Sequence, residues 1–342
     1  MKKIILITLL LVLLAGAFFA WKLVGPAVSI EKDSFLYVRT GSDLQDVRTE
    51  LVEQKFLNST TYFDLASKLI GYKKVKPGKY KLSKGMSIVS LVRMLNNGKQ
   101  TPVNFVITKL RTRENLASRI GKAFECDSAD VIRWLNNNDS LKKYGLDTNT
   151  IMAAAMPYTY SLKWNTPPER ILDELHTAYK KFWNSSRNAK ADSLKLTPIQ
   201  VVTIASIIEE ETNARVDKPL MASVYINRYR NGWTLDADPT LKFAMKDFSL
   251  KRILNKHKEV VSPFNTYKNA GLPPGPICTP SIETIDAVLD SPRTGYYFFV
   301  ANSDFSGTHI FTESLSEHSK YARIYQKELD RIIAERKAKN QQ

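Results

Sequence analysis

Apolar residues fill positions 4–20 without a single charge (IILITLLLVLLAGAFFA), directly after Lys2 and Lys3. Extended to Trp21, Leu23 and Val24, the run reaches the roughly 20 residues that a helix needs to cross a bilayer. A cleaved signal peptide is the competing reading, because Ala15-Gly16-Ala17 resembles a small-residue cleavage site. The length of the run favours an uncleaved, single-pass anchor. Lysines ahead of the span and only Lys22 just behind it place the N-terminus in the cytoplasm and the bulk of the chain outside it.

After Pro26 the pattern breaks into shorter periods. FLYV (35–38) reads as a strand. Ser42–Gln45 matches a capping box, and Leu44, Val47 and Leu51 follow at helical spacing. A second helix runs through Phe63, Ala66 and Leu69, KPGKYKL (76–82) is turn then strand, and a helix from Ser87 stops at Gly98. Residues 30–100 thus form a small α+β module, and 101–195 a less legible connecting region. Thr197-Pro198 opens a helix and the larger mixed α+β domain, 196–334. Near its end, 296–301 and 309–311 read as the strands of a hairpin. Residues 335–342 are a basic tail, and 1–25 are the cytoplasmic tip and anchor. The fold class is α+β.

The helix after Pro198 ends in IASIIEEET (204–212), three acids on an apolar run. On a wheel of about 100° per residue, Val201, Ile204, Ala205 and Ile208 cluster on one side. Thr203, Ser206 and Glu210 fall opposite, which assigns Glu210 to solvent. Glu209 and Glu211 land on the two shoulders of the buried face. There a carboxyl at the edge of a cleft is half desolvated, its pKa rises, and it serves as a general acid. Periodicity leaves these two tied, and a merely amphipathic helix boundary is the plain alternative.

Charge and cysteine content add little chemistry but exclude some. A net charge of +16 over 342 residues calls for acidic partners. An anchor that puts the basic surface outside the cytoplasm disfavours nucleic acid and points to anionic lipid or an acidic polymer. Cys126 and Cys278 are too few for a disulfide framework. No CxxC, HExxH or clustered His/Asp pattern indicates a metal.

Further motifs accompany the glutamates: INRYRNGWTLDADPT (226–240), NTY (265–267) with AGLPPGPI (270–277), GTHIF (307–311) and EHS (317–319). In this combination and order the chain closely resembles the MltG/YceG-like family of endolytic murein transglycosylases over nearly its whole length. The resemblance implies that 30–100 is a LysM-like module and that 196–334 is catalytic. It also implies that the protein cleaves the β-1,4 bond between N-acetylmuramic acid and N-acetylglucosamine in nascent peptidoglycan, without a cofactor, leaving 1,6-anhydro ends and terminating strand growth. A lysozyme-like hydrolase with Asp238 as second carboxylate, or a non-catalytic wall-binding scaffold, are the rivals. The resemblance selects Glu209, the first acid after the apolar run, as the catalytic residue. It places Asp238, Asn265 and Tyr267, with Glu211 in support, along the sugar cleft. Peptidoglycan synthases are the implied protein partners. The chain departs from the family at 153–160, AAAMPYTY, where Tyr158 replaces an aspartate.

Overall fold

The computed structural model describes residues 2–339. Met1 and positions 340–342, the end of the expected basic tail, lie outside the described residues. In chain order the elements are α1 (Lys2–Val24), β1 (Ser34–Val38), α2 (Leu44–Glu53), α3 (Thr61–Ile70), β2 (Gly78–Leu82), α4 (Ile88–Asn97), β3 (Val103–Val106), α5 (Arg113–Ala123), α6 (Ser128–Leu135) and α7 (Asn138–Lys142). There follow β4 (Thr159–Leu162), α8 (Pro168–Phe182), α9 (Ser185–Ser193), α10 (Pro198–Glu211), α11 (Lys218–Arg230), α12 (Asp238–Ala244), α13 (Asn255–Lys258), α14 (Ile282–Leu289), β5 (Phe298–Ala301), β6 (His309–Thr312) and α15 (Leu315–Lys339). The class is α+β, with each pair of strands forming its own two-stranded sheet.

The chain folds into two compact units. The first comprises residues 1–105, 120–128 and 160–171; the second comprises 106–119, 129–159 and 172–342. The stretch 101–195 is therefore divided between them.

In the first unit α1 is long and apolar enough to cross a membrane. Its 23 residues span about 35 Å at the helical rise, against a hydrocarbon core of about 30 Å. The chain leaves α1 almost directly into folded structure. Ala27 N and Val28 N donate to Met86 O (3.2 and 3.0 Å), and Gly85 N returns a bond to Val28 O (3.2 Å). β1 and β2 pair antiparallel, Ser34 opposite Leu82 and Val38 opposite Gly78. Their inward residues Leu36 and Tyr80 pack with Leu51, Phe63 and Leu91 from α2, α3 and α4. Asp43, not Ser42, caps α2 and exchanges backbone bonds with Asp46.

The second unit is built around α10. Thr197 and Gln200 form a capping box at its start, with Pro198 at the first helical position, where a missing N–H costs nothing. Every residue from Val201 to Ile208 is at most 2% exposed, so the helix is buried on all sides. The two-sided pattern expected from Thr203 and Ser206 does not survive. Both hydroxyls satisfy themselves, Thr203 Oγ1 donating to Ile199 O (2.8 Å) and Ser206 Oγ to Thr203 O (2.7 Å). Ser206 Oγ also accepts Ile277 N (3.0 Å), so the polar stripe faces the Gly-Leu-Pro-Pro-Gly-Pro-Ile loop rather than water. That loop needs a glycine at 275, where a Cβ would stand 2.1 Å from Asn149 O. Cys278 is a fully buried thiol whose Sγ donates to Ser206 O (3.4 Å). The hairpin β5–β6 forms as expected, Phe298 opposite Thr312 and Ala301 opposite His309.

Candidate active site

The C-terminal turn of α10 sends its three carboxylates in three directions. Glu210 is not solvated: its side chain is 15% exposed and grips two cations. Arg111 donates from Nε and Nη2 to its two oxygens (3.1 and 2.9 Å), and Lys109 Nζ lies 2.9 Å from Oε1. These partners hold its carboxyl below the usual range against the opposing effect of burial. The wheel failed here because a cationic segment at 109–111 covers the face it assigned to solvent.

Glu209 enters a polar knot between helices. Its Oε2 accepts from Lys218 Nζ (3.3 Å), Ser281 Oγ (3.0 Å) and Thr284 Oγ1, and Lys218 Nζ also donates to Thr284 Oγ1 (2.6 Å). Lys218 and Thr284 are buried. The residue that the resemblance selected is thus committed to tying α10, α11 and α14 together.

Glu211 alone reaches an open cleft. The cavity, about 400 Å³, is lined by Glu211, Arg228, Asp236, Asp238, Tyr267 and His318 together with aromatic and aliphatic side chains of β5 and α15. Tyr225, itself buried, donates its O–H to Glu211 Oε1 (3.1 Å). Burial, reinforced by the nearby charges of Asp238 and Glu210, raises the Glu211 carboxyl to about 7, although the Tyr225 bond and Lys242 oppose it. A carboxylic acid still protonated near neutrality, at the wall of a cleft, has the properties of a general acid.

Asp238 and Tyr267 meet in the cleft. Tyr267 O–H donates to Asp238 Oδ1 at 2.6 Å, and burial together with that bond raises the phenol's pKa. Asn265 does not reach the cleft. It is fully buried; Nδ2 donates to Lys258 O (2.9 Å) and Val260 O (2.7 Å), and Oδ1 accepts Tyr267 N (2.9 Å). Its full hydrogen-bonding capacity shapes the loop that presents Tyr267, which corrects its expected role as a sugar contact. Tyr158, at the departure from the family pattern, is not among the residues lining the cleft.

Three further members complete the site, and of these only His318, in the EHS segment, stood out in the sequence. Arg228 spans the cleft wall, Nε donating to Tyr297 O (2.7 Å) and Nη1 to Leu235 O (3.0 Å) and Asp236 Oδ2 (3.2 Å). Asp236 holds a left-handed backbone (φ +52°), a region that aspartate tolerates better than most residues. His318 stacks on Phe298 (centroids 5.5 Å apart), and burial and Arg228 lower its pKa. Asp236 stood beside Asp238 in the sequence. Nothing in spacing tied Arg228 or His318 to the glutamates. Among the described residues no cluster of His, Cys, Asp and Glu is arranged to hold a metal.

Comparison with known proteins places this geometry in context. The model of the YceG-like family matches residues 36–324. An endolytic murein transglycosylase of Bacillus subtilis is 31% identical over 86% of this chain and 87% of its own length. One from Streptococcus pneumoniae is 27% identical over 91% of this chain, which spans 62% of that longer protein. A crystal structure of a yceG-like protein from Listeria monocytogenes superposes with a TM-score of 0.56 at 28% identity, covering 85% of this chain and 99% of that one.

Proposed function

From the premise that this chain belongs to the YceG-like family, we propose that it is a membrane-anchored endolytic murein transglycosylase whose general acid is Glu211. The observation that carries the assignment is the Glu211 carboxyl, raised to about 7 on the wall of the cleft, while Glu209 and Glu210 are consumed by Lys218 and Arg111. Protonated Glu211 gives its proton to the glycosidic oxygen as the bond from C1 of N-acetylmuramic acid to the 4-oxygen of N-acetylglucosamine breaks. The resulting carboxylate takes the proton from the C6 hydroxyl of the same muramoyl ring. That oxygen closes on C1, the 1,6-anhydro sugar forms, and no water is consumed. Asp238, oriented by Tyr267, lines the same cleft and serves as the negative partner for charge developing at C1. Tyr225 keeps the acid in one rotamer between its two proton transfers.

The same reading assigns α1 as a single-pass span of the cytoplasmic membrane, with both units outside the cytoplasm. The first unit acts as a LysM-like glycan-holding module, and its groove of about 470 Å³ along residues 37–50 is the surface for that contact. Cleavage at Glu211 in the second unit ends the growth of nascent strands beside the synthases that extend them. The test is a digest of purified glycan strands, with products identified by mass spectrometry, using wild type, Glu211→Gln and Glu209→Gln. Anhydro ends from wild type and from folded Glu209→Gln, with none from Glu211→Gln, support the assignment. Full cleavage by Glu211→Gln would sink it. A second reading, hydrolysis, is favoured by one observation, the Asp238 carboxylate in the same cleft. Reducing ends in place of anhydro ends would select it.

A further inference from the structure

A second cavity of the same unit, about 280 Å³, lies close to the lower end of the size range of small-molecule sites. Its apolar wall includes Met152, Phe243 and Phe264, and its rim carries Arg111, Arg113 and Lys246. Two segments line both this cavity and the catalytic cleft, and a third, the end of α10, lines the cleft and grips the cavity rim. α12 has Asp238 in the cleft and Phe243 in the cavity, about 7.5 Å further along its axis at the helical rise. The loop 262–267 gives Tyr267 to one and Phe264 to the other. At the end of α10, Glu211 faces the cleft while Glu210 holds the Arg111 guanidinium of the cavity rim.

The charges around the cavity do not cancel. Lys109 and Arg111 share Glu210, and Lys246 faces Glu114 at 3.4 Å. Arg113 makes only a long bond, 3.4 Å, to Leu135 O among the described residues. Four cations thus face two carboxylates. Lys246 is also conformationally costly. Lys246 N and Asp247 N bond back to Phe243 O and Lys242 O (3.0 Å each), which closes α12 with Lys246 in the left-handed position (φ +54°). Glycine fills such a cap without penalty, so a lysine there sacrifices backbone comfort and places an ammonium at the rim.

We infer that this cavity binds the stem peptide of the muramoyl residue being cleaved, with its carboxylates on Lys246 and Arg113 and its small side chains against Phe243 and Phe264. The inference rests on the murein reading above and deepens it. In a strand that carries stems the lactyl carboxyl of muramic acid is consumed in the amide to the peptide, so the carboxylates left for these cations to meet are those of the peptide. The peptide hangs from the same sugar whose C1 lies in the adjoining cleft, and its carboxylates match the excess charge.

The test uses the full chain carrying Glu211→Gln, in detergent, titrated calorimetrically with two probes. One is a muramic-acid disaccharide bearing a tripeptide stem; the other is the same disaccharide with its lactyl carboxyl capped as a methylamide, so that it carries no carboxylate. The stem should strengthen binding by about tenfold, the worth of one charge-assisted hydrogen bond. Lys246→Gly and Arg113→Gln should each pull that ratio towards one, and Lys246→Gly should do so while raising Tm. Equal affinity for the two probes, or a ratio unchanged in both variants, overturns the inference. A stem preference in a chain whose wild type cleaves no strand would sink the enzymatic reading and leave this one standing. Cleavage with equal affinity for both probes would do the reverse.

Discussion

The three adjacent glutamates differ in what stands against them, and each difference has a measurable consequence. Glu211→Gln removes the proposed proton donor and should lower the rate by about 10³-fold, within the range general acids contribute, with the fold intact by circular dichroism. Glu209→Gln leaves the buried Lys218 without its counter-charge. It should cost about 3 kcal/mol of stability, read as a lowered Tm, with turnover of the surviving folded fraction largely kept. The acidity of Glu211 also fixes two pH dependences. In the folded protein it holds its proton up to about 7, whereas the unfolded chain releases it near the ordinary carboxylate value of 4.5. Between those values the folded state binds more protons, so the stability linked to this group is present below 4.5 and is lost as pH rises through 7. The acid-dependent limb of kcat/KM should fall over the same upper range, and a flat profile from pH 6 to 8 would contradict the role given to Glu211. From the sequence the wheel reached a tie between Glu209 and Glu211 and went no further. The deciding groups, Lys218, Thr284 and Tyr225, lie 9 to 75 residues from the carboxylates they bond, and only folding shows which carboxylate they claim.

At the scale of elements, the readable features were those encoded locally. The cap at Thr197-Pro198, the strands 35–38 and 78–82 and the terminal hairpin each depend on a few neighbouring residues, and each formed. α10 was misread because amphipathicity assumes that polar side chains seek water. Thr203 and Ser206 instead bond backward along their own helix and to the loop above it, so their polarity carries no information about exposure. The Gly-Leu-Pro-Pro-Gly-Pro-Ile loop was visible as a motif, but its purpose was not. Gly275→Ala would thrust a methyl into Asn149 O and displace a loop that both roofs α10 and borders the second cavity. A loss of about 1–3 kcal/mol in chemical denaturation is expected, as for overpacking generally. Asn265→Ala should act in the same direction by freeing the loop that presents Tyr267, raising KM for strands more than it lowers stability.

For the whole molecule, the apolar N-terminal run was the most legible feature and the division of residues 101–195 the least. That stretch contributes to both units, and a linear scan has no means of seeing a segment shared in this way. Deleting residues 2–20 should release the protein from membranes while leaving its rate on soluble strands within about twofold, because α1 contributes no buried surface over its apolar window. The exit from α1 carries a further consequence. Only Gly25 and Pro26 separate the helix from the first backbone bonds to Met86, so with α1 inserted as proposed the first unit would have almost no slack above the bilayer. A protein moored this tightly would search in two dimensions. Its encounter rate would be set by lateral diffusion and surface density, not by bulk concentration. A flexible insert of about 30 residues after Gly25 would let the first unit wander about 30 Å, and would dilute it from a surface reagent towards a volume one.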